Sequence, residues 1–188
     1  MRLRPRVRGF TLIELMVVVA IVGILAILGV VGYRKLINSS RTTEARQVVG
    51  GIRLAQEQYK AETGAYAPIH GKVRPADAAY CPNQTWSVGF NTMKKMSWAP
   101  NCGTIPFGTL PVHVDGEVMY GYATVAGVAA DPVAQLPPVS EIGSIGNWPA
   151  ATSTDWYVVY AKGDTDNNGE LGVVVGHSFG KELFVREE

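Results

Sequence analysis

The sequence predicts an α+β fold in which one long amino-terminal helix packs on a small antiparallel sheet. Three observations lead to this prediction. Residues 10–33 hold a single charged side chain, Glu14, in a run of 24 residues that is otherwise uncharged and mainly apolar. No proline occurs between Pro5 and Pro68, so nothing interrupts a helix from residue 10 to about residue 62. Beyond it, short apolar segments alternate with clusters of glycine, proline and asparagine, which is typical of antiparallel strands joined by turns.

The first half of the predicted helix is long enough to span a membrane. At 1.5 Å per residue, residues 10–33 would extend about 36 Å, against a bilayer core of roughly 30 Å. Four arginines precede this run and the chain after it is mildly acidic, so the positive-inside rule places the amino terminus in the cytoplasm. The run is too long for a secretory signal, and no convincing Ala-x-Ala cleavage site follows it. A carboxylate within such a run, that of Glu14, therefore marks a functional site.

The second half of the helix, residues 34–63, is predicted to be amphipathic and to pack on the rest of the chain through its apolar face. That face consists of Ala45, Val48, Val49, Ile52, Ala55 and Tyr59, and the opposite face carries Arg46, Gln47, Arg53, Gln56, Glu57 and Lys60. The pair Gly50-Gly51 predicts a bend, because two glycines cost about 2 kcal/mol relative to alanines. Gly64 is the expected stop signal of the helix.

The rest of the chain, residues 64–188, is predicted to be a head of short strands separated by two long loops. Residues 67–110 and 127–154 are rich in proline and lack periodicity, which indicates loops. Residues 112–125 predict a hairpin with Asp115-Gly116 at its turn. Three further strands are predicted at Trp156–Ala161, Leu171–His177 and Glu182–Val185.

Both cysteines, Cys81 and Cys102, lie in the first of these loops. If the head is exported to an oxidising compartment, the two thiols are expected to form one disulfide that staples the loop. Closing a loop of this size is worth about 3 kcal/mol in the entropic description. Two free thiols are the alternative.

The start of the helix resembles a known processing signal. The residues Gly9-Phe10-Thr11-Leu12-Ile13-Glu14-Leu15 are similar to the class III signal of type IV pilins and type II secretion pseudopilins. This resemblance implies that a leader, residues 1–9, is removed by a prepilin peptidase between Gly9 and Phe10, and that the new amine of Phe10 is methylated. Glu14 then matches the acidic residue of the family, and its carboxylate would neutralise the Phe10 amine of the same or a neighbouring subunit during assembly.

The resemblance, which covers about the first 60 residues, implies a structural subunit of a type IV pilus-like fibre, either major or minor. The implied divisions are a cleaved leader (1–9), a transmembrane or fibre-core half of the helix (10–33), an amphipathic half (34–63) and a globular head (64–188). The implied partners are other pilin subunits in a homo- or hetero-oligomeric fibre, the prepilin peptidase and the pilus assembly machinery. The implied location is the inner membrane for the precursor, and the periplasm or a cell-surface pilus after assembly.

Two alternatives to a pilus subunit stay open from the sequence. One is a type II secretion pseudopilin, and the other is a fibre-tip module whose head serves binding or adhesion. Many type IV pilins carry a proline near the segment from Gly29 to Gly32, where this chain has Val31. Any local melting of the helix in a fibre therefore depends on the glycines.

A loop between two of the predicted strands has the spacing of a calcium ligand set. In Gly163-Asp-Thr-Asp-Asn-Asn-Gly169-Glu170, oxygen-bearing side chains alternate, and Gly169 stands where a calcium loop turns sharply. Alternate side chains of such a loop converge on one cation. The candidate ligands are the side chains of Asp164, Asp166 and Asn168 and the backbone carbonyl of Glu170.

The match to an EF-hand loop is incomplete. Val175 stands where a bidentate glutamate is needed, so a further ligand, such as Asp155, would have to come from elsewhere in the chain. An ordinary Asp/Asn/Gly turn is the alternative interpretation of this loop.

Charge and motifs argue against nucleic-acid binding and against catalysis. Without residues 1–9 the chain has 13 basic and 16 acidic residues, so no nucleic-acid partner is expected. The segment Gly176-His-Ser-Phe-Gly180 fits the nucleophile pattern G-x-S-x-G, but the aspartate and histidine of a hydrolase triad follow the serine, and none follows Ser178. The chain is therefore not expected to be an enzyme.

Overall fold

The computed structural model describes residues 9–74, 80–82, 95–98, 101–102, 105–135, 148–165 and 168–187. The chain divides into two compact units, Met1–Ile37 and Asn38–Glu188. The leader except Gly9, and the calcium candidate Asp166, lie outside the described residues.

The helix and the sheet form in the predicted order. Helix α1 spans Leu12–Thr63. The strands are β1 (Met96–Ser97), β2 (Glu117–Val118), β3 (Gly121–Gly127), β4 (Trp156–Gly163), β5 (Gly172–His177) and β6 (Phe184–Arg186), and a 3-10 turn occupies Phe107–Thr109. Strands β3 to β6 form one antiparallel sheet in the order β3-β4-β5-β6, and β1 pairs with β2 in a separate two-stranded sheet. The predicted α+β class is confirmed, as are the three strands predicted after residue 155.

The end of α1 follows the predicted stop signal. Gly64 adopts a φ of +85°, and its N–H donates to the carbonyl of Lys60 at 2.8 Å. That left-handed conformation suits glycine and closes the last helical turn. The helix continues as one element through Gly50-Gly51, where the sequence predicts a bend.

The four-stranded sheet is buried on both faces, and the side chains of each strand alternate between two apolar clusters. On β4, Tyr157, Val159 and Ala161 join an apolar cluster with Ala45, Val49 and Ile52 of α1, the helix-facing cluster. The intervening residues of β4, Trp156, Val158 and Tyr160, join a second cluster with Tyr80, Val133 and Ala134. A strand that is buried on both faces reads as a continuous apolar run, which explains the sequence WYVVYA of β4.

The predicted apolar face of α1 is confirmed, but two residues predicted for its polar face contact the head instead. Gln56 is fully buried: its side chain donates to the carbonyl of Ala67 at 2.9 Å and accepts the Ala67 N–H at 2.9 Å. Arg53 donates to the carbonyls of Gly180 and Lys181 at 2.9 and 3.1 Å. Both polar side chains are tolerated against the head because backbone groups of its loops need partners there.

The predicted hairpin over residues 112–125 is wrong. Residues 111–115 form no strand; β2 pairs with β1, and β3 pairs with β4. Gly116, with φ at +96°, does turn the chain. The chain packs towards α1 on both sides of this turn. Before it, Val112 and Val114 pack on the helix-facing cluster. After it, the N–H of Met119 donates to Glu44 at 2.9 Å.

The outer edge of β3 is covered by the loop that follows the helix. Along this edge the backbone of Cys81 exchanges hydrogen bonds of 2.8 and 2.7 Å with Tyr122, and the N–H of Ala126 donates to Gly71 at 3.1 Å. Between them, the N–H of His70 donates to the carbonyl of Thr124 at 3.0 Å. An edge strand with unpaired N–H and C=O groups is a template for association with other chains, and this loop removes that template.

Gly176 on β5 is required by the packing of α1 on the sheet. A Cβ at this position would lie 2.7 Å from Cδ of Arg53 and 3.0 Å from methyl groups of Val49 and Leu183. Gly176→Ala is therefore expected to lower the free energy of unfolding by about 1–3 kcal/mol. Denaturant unfolding monitored by circular dichroism measures this.

The matched control for Gly176 is Gly50, an exposed helical glycine whose added Cβ would meet no atom within 4 Å. Gly50→Ala is expected to raise the free energy of unfolding by about 1 kcal/mol through helix propensity alone. Equal effects of the two substitutions would show that the approach at Gly176 does not constrain the fold.

Candidate assembly site

The start of α1 is organised by two side chains. Gly9, Phe10 and Thr11 precede the helix, and Glu14 lies in its first turn. The backbone N–H and the hydroxyl of Thr11 both donate to Oε2 of Glu14, at 2.9 and 2.8 Å, and the N–H of Glu14 donates to the Thr11 hydroxyl at 3.2 Å. This reciprocal arrangement is a capping box, which satisfies donors that the first helical turn leaves without intrahelical partners.

The sequence pattern predicts a role of Glu14 in assembly only, and its role as a helix cap becomes visible in the structure. The spacing Thr-x-x-Glu before an apolar run is the signal that could have revealed it. The consequence is that Glu14 has a local partner even when no second subunit is present.

The apolar half of α1 presents its side chains outward. Large apolar residues are exposed from Phe10, at 86%, through Leu36, at 68%. Within the part of the chain that the structure describes, α1 is the one helix long and apolar enough to cross a membrane, with a mean hydropathy of 3.0 over its most apolar window and no part of that window buried. An apolar surface of this extent needs lipid or protein around it.

The predicted disulfide is confirmed. Cys81 and Cys102 are bonded to each other, with their Cα atoms 5.9 Å apart, and both are buried in the helix-facing cluster. The bridge connects the segment that covers the edge of β3 to the 3-10 turn, because the N–H of Phe107 donates to the carbonyl of Cys102 at 3.2 Å.

The candidate calcium loop uses its described oxygen atoms to hold its own backbone. The two carboxylate oxygens of Asp164 accept the N–H groups of Asn168 and Gly169 at 3.2 and 3.0 Å, and Oδ1 of Asn168 accepts the N–H of Glu170 at 2.6 Å. Gly169 has φ at +87°, as a tight turn requires. Asp164 is buried, whereas Asn168 and Glu170 are exposed.

The prediction of Asp155 as a further ligand of this loop is wrong. The eight residues of β4 separate Asp155 from Asp164, which places the two carboxylates about 30 Å apart at opposite ends of the strand. Asp155 instead accepts the N–H of Ala129 at 3.0 Å and lies 3.9 Å from the ammonium of Lys60. Among the described residues, no three histidine, cysteine or acidic side chains gather as a metal site would require.

Ser178, the serine of the G-x-S-x-G pattern, exchanges two hydrogen bonds with the backbone of β4. The Ser178 hydroxyl accepts the N–H of Tyr157 at 3.1 Å, and the Ser178 N–H donates to the Tyr157 carbonyl at 3.1 Å. These two bonds extend the pairing of β4 with β5 beyond His177. The serine thus completes a strand end and does not start a helix, as a nucleophile elbow requires.

His177 makes the stability of the head depend on pH. Its ring stacks on Phe179 with centroids 4.1 Å apart and meets Trp148 edge-on, and its buried Nδ1 has no hydrogen-bond partner among the described residues. Burial first, and then the charge of Arg53, lower the pKa of His177. Because the unfolded chain then binds the proton more readily, this contribution to stability is fully present above about pH 6.5 and is lost as the pH falls through the lowered pKa.

Acidification from pH 7 to pH 5 is expected to lower the free energy of unfolding more in the native chain than in the variant His177→Gln. Urea unfolding at a series of pH values measures the free energy of unfolding of both proteins. The contribution of the acidic residues is common to both and cancels in the difference between them. His113→Gln is the control, since His113 is exposed and pairs with Asp115 at 2.9 Å. The prediction is wrong if the native chain and His177→Gln lose stability in parallel.

The chain begins its apolar helix with a methylation-signal segment, and the rest of it is a helix packed on an antiparallel sheet. This is a pilin-like α+β architecture. Residues 4–30 match the family model described as the prokaryotic N-terminal methylation motif. The chain is 39% identical over 72 residues to the type IV major pilin protein PilA of Myxococcus xanthus, which covers 38% of this chain and 33% of that protein. These findings show that part of this chain is similar to type IV pilin and fimbrial proteins.

Two further relatives are fimbrial proteins. The fimbrial protein EcpC of Eikenella corrodens is 41% identical over 59 residues, which are 31% of this chain and 39% of that protein. The probable minor fimbrial protein of Dichelobacter nodosus is 45% identical over 53 residues, 28% of this chain and 33% of that protein. The chain therefore spans about a third of the length of the curated relatives it matches. No solved structure matches the chain significantly.

Proposed function

We propose that this chain is a structural subunit of a type IV pilus-like fibre, held in the inner membrane as a precursor and assembled through its amino-terminal helix. The observation that carries the proposal is the methylation motif at residues 4–30, which heads a helix whose apolar side chains are exposed along its first half. Its relatives are named for pili and fimbriae. That likeness supports a structural role for this chain.

The steps of maturation follow from the residues at the start of the helix. Removal of residues 1–9 by a prepilin peptidase between Gly9 and Phe10 would create an amine at Phe10, which is then methylated. A cation at the amino end of a helix opposes the helix dipole, so a nearby carboxylate is needed to compensate it. Glu14, already turned back towards Thr11, is suitably placed within the first turn.

The divisions of the chain are proposed to act in sequence. The leader (1–9) is removed, the apolar half of the helix (10–33) passes from the membrane into the core of the fibre, and the amphipathic half (34–63) carries the head (64–188). Deleting the gene and imaging the cell surface tests this proposal. Loss of all fibres identifies a major subunit and fewer fibres a minor one, whereas intact fibres with failed protein export would replace the proposal by a secretion pseudopilin.

A fibre-tip binding module is the second candidate, and one feature of the head favours it. A cavity of about 370 Å³ opens between the side of α1 at Glu44 and Val48 and the segment from Val112 to Val118. Its rim carries Asp115 and Glu117. A double substitution Asp115→Asn/Glu117→Gln that leaves fibres intact and abolishes attachment to surfaces would support this role, while unchanged attachment would count against it.

Calcium binding by the loop of Asp164, Asp166, Asn168 and Glu170 stays a prediction. If calcium binds there, added calcium raises the melting temperature of the native chain, because a ligand that binds only the folded state stabilises it. The variant Asp164→Asn/Asp166→Asn would then lose this increase. No change in melting temperature with calcium in the native chain leaves the loop as an Asx turn of the kind that the Asp164 contacts describe.

A further inference from the structure

The disulfide has a histidine beside it. Nε2 of His70 lies 3.7 Å from Sγ of Cys81, and the ring meets Phe107 edge-on with centroids 5.9 Å apart. Both His70 and Cys81 are fixed on the outer edge of β3 by backbone hydrogen bonds, to Thr124 and Tyr122 respectively. Tyr122 and Thr124 are two residues apart on β3, so their backbone groups point to the same edge, and that edge brings His70 and Cys81 to neighbouring positions without the bond to Cys102.

The other ring nitrogen of His70 has a partner in either protonation state. Nδ1 lies 3.2 Å from the N–H of Thr124 and also 3.2 Å from the carbonyl of Thr124. Without a proton, Nδ1 accepts the N–H; with a proton, it donates to the carbonyl. The form with the proton on Nδ1 leaves Nε2 without a proton, so in that form Nε2 can accept the proton of Cys81 while Nδ1 keeps its bond to the Thr124 carbonyl.

We infer that His70 accepts the thiol proton of Cys81 in the reduced chain and so makes Cys81, not Cys102, the attacking nucleophile when the disulfide forms. A thiolate is the reactive form of cysteine, and an adjacent imidazolium stabilises it. Nδ1–H of His70 donates to the carbonyl of Thr124 and holds the ring, so Nε2 is the nitrogen that exchanges the proton with the sulfur.

The reaction is a thiol–disulfide exchange with an external disulfide compound as oxidant. The proton of Cys81 moves to Nε2 of His70, and the Cys81 thiolate attacks the oxidant, whose S–S bond breaks and releases one thiolate. Cys102 then attacks Sγ of Cys81 in the mixed disulfide and releases the second thiolate. Two thiols of the chain are oxidised and one disulfide of the oxidant is reduced to two thiols.

Single-cysteine variants of the full chain, purified in detergent, test the inference. In Cys102→Ser, the thiolate absorbance of Cys81 near 240 nm is expected to rise at a pH below the ordinary thiol range near 8.5. Adding His70→Gln should shift that rise upward and slow the reaction with oxidised glutathione about tenfold at pH 7, with the difference vanishing at alkaline pH, where the thiol ionises unaided. Cys81→Ser is the matched control: the titration of its Cys102 should not change with His70→Gln.

Three results would overturn the inference. One is an identical titration of Cys81 with and without His70. Another is an equal effect of His70→Gln on Cys81 and Cys102, which would indicate a general loss of structure. If His70→Gln does not fold, the titration of Cys102→Ser alone decides: a thiolate that forms only at or above about pH 8.5 gives His70 a packing role and nothing more.

Discussion

Glu14→Ala is expected to leave leader removal intact and to reduce incorporation of the chain into fibres by at least about tenfold. The reason is that the amine created at Phe10 would enter an apolar environment without a compensating carboxylate, and an unpaired charge in such surroundings is strongly unfavourable. The proposed cleavage position, between Gly9 and Phe10, lies before Glu14, so the substitution is expected to leave it intact. The measurement is twofold: mass spectrometry of the cell-bound chain for loss of residues 1–9, and the amount of subunit in fibres sheared from cells.

Thr11→Ala is the matched control for Glu14→Ala. It removes the hydroxyl partner of the Glu14 carboxylate and keeps the carboxylate itself. If Glu14 acts by neutralising the Phe10 amine, Thr11→Ala should assemble nearly as well as the native chain. If the two substitutions impair assembly equally, the cap and not the charge pair is what assembly needs. An unprocessed leader in native fibres would contradict the whole maturation scheme.

Cys81→Ser is expected to lower the free energy of unfolding of the head by about 3 kcal/mol, or roughly 10 °C in Tm. The bridge joins residues 21 apart in sequence, and its loss frees that loop in the unfolded chain. A second effect follows from position. A head that unfolds more often exposes more often the edge of β3 that the backbone of Cys81 covers at Tyr122, and aggregation should increase.

Denaturant unfolding of the oxidised and reduced native chain, together with Cys81→Ser/Cys102→Ser, measures the first effect. Light scattering during refolding measures the second. Reducing agent is expected to destabilise the native chain and to have no effect on the double variant, which separates the bridge from other actions of the reagent. Equal stability of the oxidised and reduced native chain would show that packing alone holds the loop against β3.

Most of the fold can be predicted because its signals are local. The apolar run of residues 10–33, the absence of proline up to Pro68 and the glycine at position 64 define α1 from pattern and propensity. The strands β4 and β5 are continuous apolar segments bounded by turn residues, which is why their predicted positions lie close to the observed ones. The likeness to pilins was also predictable from a short segment, residues 9–15, because such a motif is recognised as sequence.

The pairings of the head depend on tertiary contacts. The pattern of residues 112–125 is that of a hairpin. In the structure, Val112 and Val114 pack on the helix-facing cluster, and Glu117–Val118 pairs with Met96–Ser97, about 20 residues earlier in the chain. Long-range pairing of this kind is set by which surfaces remain to be covered, and no window of sequence contains that information.

What the sequence determined by itself was the helix, the methylation motif at its start, the α+β class and the cysteines available for a bridge. What only the tertiary structure decided was which polar side chains are buried and what they contact. Gln56 is buried because its side chain binds the backbone of Ala67. Arg53 and His70 likewise bind backbone groups that lie far away in the sequence, those of Gly180 and Thr124. The physical reason is that a polar side chain can be buried only where the fold supplies a hydrogen-bond partner. That partner is determined by tertiary packing, not by the neighbouring sequence.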